Sequence, residues 1–200
     1  MSKKDSIETF HDSNIFTPTR TIFIGSEESS IEFGSESGVD SAMSQRVIKN
    51  LHILESMGKD PITILMNNYG GDVNHGLAIY DAIRACKSEV IIKVFGGCMS
   101  MGSIILQAGD KRIMSPQSSQ MIHYGFLGIA KEAKTVYKIT EEMKRIDAWM
   151  EQMYLEKIWK KQPNFTLKKL QKMLDHDTFL TAEQSVELGL ADSILESSEE

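Results

Sequence analysis

Twice between Ile62 and Ala108 the chain runs from a β-branched apolar stretch through a glycine-bearing turn into an apolar helical stretch. The first unit passes from Ile62–Met66 through Asn67-Asn68-Tyr69-Gly70-Gly71 into a helix from about Asn74 to Ala85, with Leu77, Tyr80 and Ile83 available to pack. The second passes from Val90–Phe95 through Gly96-Gly97-Cys98-Met99 into a helix from about Ser100 to Ala108. Strand, turn and helix in that rhythm predict parallel strands joined by right-handed crossovers, hence an α/β class built on repeated β-α-β units. Shorter strands around Arg112–Met114 and Gln120–His123 continue the sheet. Both glycine turns then fall at the carboxyl edge of the strands, where open α/β sheets place their sites.

The 200 residues fit one domain with a protruding element. Residues 1–40 read as a strand at Thr21–Ile24 followed by a variable Ser/Glu/Gly-rich passage from Gly25 to Gly38. The main domain, 41–200, begins with a helix capped by Asp40 or Ser41, its apolar side drawn by Met43, Val47, Leu51 and Leu54, and stopping near Gly58. After Gly125-Phe126-Leu127-Gly128, no Gly or Pro interrupts Lys131–Lys161. There Val136, Ile139, Met143, Ile146, Met150 and Met153 recur at alternating spacings of three and four, a seam on a long helix. Such a seam either lies across its own sheet or meets another subunit. Pro163 ends it, Thr166 caps a helix over Leu167–Leu174, and Thr181 with Glu183-Gln184 caps a last helix ending at Gly189.

Composition narrows the function classes. An apolar content of 41% and a net charge of -6 describe an ordinary soluble chain with no bias toward nucleic acid or other polyanions. Six lysines without an acid between Lys157 and Lys172 are read as a solvated helix face. Cys86 and Cys98 have neither metal-site spacing nor a disulfide-rich context, which agrees with a reducing compartment such as the cytoplasm. No apolar run approaches membrane length.

The second glycine turn carries the chemistry. Ser100 stands where a strand becomes a helix, and the amides of Met101 and Gly102 in the first helical turn have no intrahelical acceptor. Gly70-Gly71 of the neighbouring turn supply a second backbone able to donate toward the same point. Two convergent N–H groups stabilise the charge that develops on a carbonyl oxygen in acyl transfer. A serine needs a base. Of His11, His52, His75, His123 and His176, only His123 ends a short apolar strand at the same edge; a structural role is its competing explanation. Asp110, Asp175 and Asp177 all qualify as the orienting acid.

These segments resemble the Clp protease proteolytic subunit family. The match runs through Pro61–Asn67 leading to Gly70-Gly71, Gly76–Asp81, Ser100-Met101-Gly102, Met121-Ile122-His123, Asp177–Glu183 and Gly189–Asp192, over about residues 45–195. The resemblance implies the crotonase-like fold with a projecting handle over about 125–162. It implies Ser100 as nucleophile, His123 as general base, Asp177 as orienting acid, and the amides of Gly71 and Met101 as the oxyanion hole. It further implies a serine endopeptidase acting on unfolded proteins or peptides inside a homo-oligomeric chamber of heptameric rings, stacked in pairs as a tetradecamer. A AAA+ ATPase partner threads the substrate and binds the nucleotide; the peptidase itself requires no cofactor, no metal and no nucleic acid or membrane.

Departures from the family pattern are local. Asn68-Tyr69 stand where the family has Ser-Pro, Cys98-Met99 replace small residues before the nucleophile, and Tyr124-Gly125 replace Gln-Pro after the base. Asp175-His176 stand where an acid–arginine pair is usual. These changes resemble phage-encoded members, some of which process capsid assembly proteins. The alternatives are therefore a capsid-processing peptidase or a scaffold that has lost turnover.

Overall fold

The computed structural model describes residues 3–25, 38–125 and 131–196. Most of the expected variable passage at 25–38 and of the Gly125–Gly128 link lies outside them. Among the described residues eight strands form one sheet: β1 (Ile15–Phe16), β2 (Thr21–Gly25), β3 (Ile62–Asn68), β4 (Val90–Met99), β5 (Lys111–Met114), β6 (Ser119–Ile122), β7 (Thr178–Thr181) and β8 (Ser193–Ile194). The helices are α1 (Lys3–Ser13), α2 (Ser41–Met57), α3 (Val73–Ala85), α4 (Met101–Leu106), α5 (Ala133–Ile158), α6 (Leu167–Leu174) and α7 (Ala182–Leu188).

The main path runs β1-β2-β3-β4-β5-β8, parallel throughout except for the antiparallel edge strand β1. Its centre is apolar because Ile62, Ile64, Met66, Val90, Ile92 and Val94 are all buried. The α2 face expected from its spacing is the buried one, with Met43, Val47, Leu51 and Leu54 inside and Asp40 Oδ1 accepting from Met43 N at 2.8 Å. In α3 the inner residues are Gly76, Ile79 and Ile83, whereas Leu77 and Tyr80 are only half-buried.

Three expectations are corrected. The first forty residues hold a helix and a second short strand besides the expected one. The helix has a polar sequence that gives little amphipathic signal, but Phe10 meets Phe16 at a tilt with ring centroids 5.8 Å apart, and the Ser13 carbonyl accepts from Asn50 Nδ2 at 2.7 Å. The Gly96-Gly97-Cys98-Met99 segment continues β4 instead of turning. After Val94 the strand leaves β5, shifts register against β3, and pairs Gly97–Met99 with Ser119–Met121 of β6. Asn67 Oδ1 accepts from Gly97 N at 3.0 Å and bridges the irregularity. Finally, β7 forms where no strand was expected, antiparallel to β6.

The long helix divides at its middle. Ile146, Met150, Met153, Tyr154, Leu155 and Ile158 are buried, and Trp149 meets Tyr80 of α3 edge-on at 5.1 Å. Val136, Ile139 and Met143 are half-exposed and Tyr137 is 72% exposed. Lying across its own domain describes the C-terminal half alone.

Candidate active site

Ser100 is the single residue between β4 and α4, and its backbone is held at φ 51°, ψ -120°. A side chain at such an angle costs about 1–3 kcal/mol unless its surroundings enforce it. Here they do. Ser100 N donates to Met121 O at 2.9 Å, and Ser100 O accepts from Ser103 N at 2.9 Å and Ile104 N at 3.3 Å. The result is a sharp elbow that lifts the hydroxyl off the sheet edge.

Pairing of β6 with β7 delivers the other two groups. Ile122 faces Thr178 across the antiparallel ladder, so the next pair outward is His123 and Asp177. His123 Nδ1 lies 2.8 Å from Asp177 Oδ1, and His123 Nε2 lies 2.8 Å from Ser100 Oγ. Both are full hydrogen bonds, so acid, imidazole and hydroxyl form one unbroken chain. The other acids go elsewhere: Asp110 accepts from Val90 N at 2.8 Å and faces Arg84, and Asp175 is an exposed residue at the end of α6. Of the remaining histidines, His75 reaches Ser44 Oγ at 3.4 Å, His52 borders a shallow groove beside Glu55, and His11 sits in α1.

The two backbones converge as well. Val39 forms a parallel bridge with Gly71, using the Gly70 carbonyl (2.6 Å) and the Asp72 amide (2.7 Å), which leaves the Gly71 N–H out of that pairing. Neither glycine has room for a side chain: a Cβ on Gly70 would stand 2.7 Å from Ser100 Cβ and 3.2 Å from Met101 N, and one on Gly71 would stand 2.3 Å from Val39 N. Ser100, Met101, Gly71 and His123 line a cavity of about 190 Å³ whose walls include Val73, Ile104, Met143, Ile146 and Met150.

Beneath α4 lies a polar knot that sequence reasoning missed. Ser103 Oγ is 2.9 Å from Tyr154 Oη and accepts from Gln120 Nε2 at 2.7 Å, linking α4, β6 and α5. The one available signal was Ser103 itself, a polar residue in the middle of an apolar helix. Burial raises the Tyr154 phenol and the Cys98 thiol well above their ordinary values, so both stay protonated. Tyr124, next to His123, bonds through its hydroxyl to Glu151 of α5; burial and that bond push its pKa up. Tyr69 is 46% exposed, its ring 3.5 Å from the place a Cβ on Gly97 would occupy.

A strand-to-helix elbow bearing serine, a hydrogen-bonded histidine and acid, and a glycine turn facing the elbow define the class of serine hydrolases. The Clp protease family model matches residues 19–198. The chain is 32% identical over 165 residues to the ATP-dependent Clp protease proteolytic subunit 2 of Pseudomonas aeruginosa, covering 82% of this chain and 80% of that protein. It is also 32% identical over 172 residues to the ATP-dependent Clp protease proteolytic subunit of Deinococcus radiodurans, covering 81% and 78%. The chain belongs to the Clp protease family, has its crotonase-like fold, and is a serine peptidase.

Proposed function

We propose that Ser100 is the nucleophile, His123 the general base and Asp177 the orienting acid, with the amides of Gly71 and Met101 as the oxyanion hole. The observation that carries this reading is the pair of 2.8 Å bonds running from Asp177 through His123 to Ser100. His123 Nε2 takes the proton of Ser100 Oγ as the oxygen attacks a peptide carbonyl, and the tetrahedral oxyanion accepts from the two amides. The histidine then protonates the leaving amine. Water attacks the acyl-enzyme by the same route, while Asp177 accepts a hydrogen bond from His123 Nδ1–H and fixes its tautomer.

The enzyme works as a homo-oligomer of heptameric rings, stacked as a tetradecamer, enclosing the active sites in a chamber in the cytoplasm. The relatives' names include ATP dependence. In this chain no phosphate-binding loop occurs, so nucleotide belongs to a AAA+ partner that feeds unfolded chains. Support for assembly is the half-exposed N-terminal part of α5, and no helix among the described residues is long and apolar enough to cross a membrane.

Ser100→Ala is expected to lower peptide hydrolysis on the order of 10⁶-fold and to abolish labelling by a fluorophosphonate, with the mass of the assembly retained. Equal labelling of parent and variant would overturn the assignment.

A further inference from the structure

The cavity beside Ser100 is not uniformly apolar. Asp147 lies in its wall, four residues after Met143 and three before Met150, so it sits in the middle of the α5 stripe that faces the nucleophile. A carboxylate there is out of keeping with its apolar neighbours, and it has no hydrogen bond or ion pair among the described residues. The basic residues nearest along α5 are already engaged: Lys144 Nζ pairs with Glu141 at 2.9 Å and Arg145 Nη2 with Glu142 at 2.6 Å. Tyr124 and Gln171 direct their donors at Glu151, one turn further on. Asp147 is therefore the free acid of the cavity.

Resting on the assignment of Ser100 as nucleophile, we infer that this cavity selects lysine or arginine at the substrate residue immediately before the cut, with Asp147 receiving the cation. The shape of the chemistry fits such a side chain along its whole length. Val73, Ile104, Met143, Ile146 and Met150 offer apolar surface for a methylene stem, and a stem of that kind packs well against flexible thioethers. At the end of the stem an ammonium or guanidinium meets an unpaired carboxylate in a partly desolvated place, where a charge-assisted bond is stronger than in water. Partial burial, together with the charge of Glu151, raises the carboxyl of Asp147, so the empty site disfavours its own ionised form. An incoming cation reverses that penalty, whereas an acidic side chain adds to it. Leucine or methionine fills the same walls and leaves the carboxylate unpaired.

The test uses the full chain as assembled and peptides that differ only in carrying Lys, Arg, Leu or Glu before the cut. The expected result is that the parent's kcat/KM ratio of Lys to Leu falls at least about tenfold in Asp147→Asn, and that Asp147→Lys moves the preference toward Glu. A Lys-to-Leu ratio unchanged within about twofold in Asp147→Asn would overturn the inference. In parallel, labelled peptides ending in Lys or Leu are titrated against Ser100→Ala and Ser100→Ala/Asp147→Asn by fluorescence polarisation, which requires no bond cleavage. Lys-selective binding lost with Asp147 but no hydrolysis in the parent would strike at the nucleophile alone. Hydrolysis whose selectivity ignores Asp147 would strike at the pocket alone.

Discussion

The two halves of α5 carry one repeat of apolar residues and meet opposite surroundings. From Ile146 onward the repeat is core, with Met150 4% and Met153 5% exposed; before it, Val136 and Ile139 stay half-exposed and Tyr137 is 72% exposed. Periodicity thus determines which face of a helix is apolar, but the length of the domain beneath it determines how much of that face becomes interior. The buried half supports the floor beneath Ser100 through the contact of Tyr154 with Ser103. The exposed half carries apolar residues at the same spacing and leaves them half-exposed.

Substitutions can break this contrast. Leu155→Ala is expected to cost about 2–5 kcal/mol of unfolding free energy at every protein concentration, as removal of a well-packed side chain does. Tyr137→Ala is expected to stay within about 0.5 kcal/mol at dilutions where the chain is unassembled, and to lower the thermal midpoint only at concentrations where subunits associate. A concentration-independent loss for Tyr137→Ala, read by calorimetry across a dilution series, would erase the distinction between the halves.

Tyr154→Phe sharpens the claim that the buried half holds the site in place. The hydroxyl faces Ser103 Oγ at 2.9 Å with no water access, so its loss is expected to cost about 1–2 kcal/mol in denaturant unfolding. Because Ser103 also receives Gln120, the variant should lower kcat more than it raises KM. A change confined to stability would reduce the knot to a packing role.

A further effect concerns Lys157, at the end of the buried half. Burial, then the neighbouring charge of Arg112, holds its pKa down to about 8. An unfolded lysine titrates near 10.4, so between these values the unfolded chain binds more protons and this residue's contribution to stability rises with pH. Comparing the parent with Lys157→Gln at pH 7 and pH 10 cancels the tyrosines and cysteines common to both. The parent should gain about 1 kcal/mol relative to the variant, a figure reduced for partial solvent access. A flat difference would place Lys157 in the exposed class.

The same contrast explains how far the sequence could be read. Caps and local periods were legible because their causes lie within a few residues: Thr166 accepts from Lys169 N, and Thr181 and Gln184 form a reciprocal capping box, as their spacing predicts. Ser100 and His123 were legible for the same reason, as residues at element ends. Asp177 was not separable from Asp110 and Asp175 by pattern, because its place depends on β7 pairing with β6, and β7 alternates poorly, with Phe179 58% exposed. The glycines of β4 misled for a related reason. Alone they signal a turn, yet pairing with β6 and the Asn67 amide carry the strand through them. Asp192 was legible only as a motif residue. Burial alone would raise its carboxyl, but Arg112, itself buried, holds it below its ordinary value and so ties the C-terminal segment to β5.

The backbone of Ser100 sets folding against chemistry at a single position. Its dihedral angles are ones that glycine adopts freely and serine does not, so a chain shaped only to be stable would place glycine there. The hydroxyl is retained against that preference by the three backbone bonds that grip the elbow. Any substitution that loosens the grip, on β6 or in the first turn of α4, lets the residue relax to an easier geometry and turns the hydroxyl away from His123 while leaving every side chain of the site in the sequence.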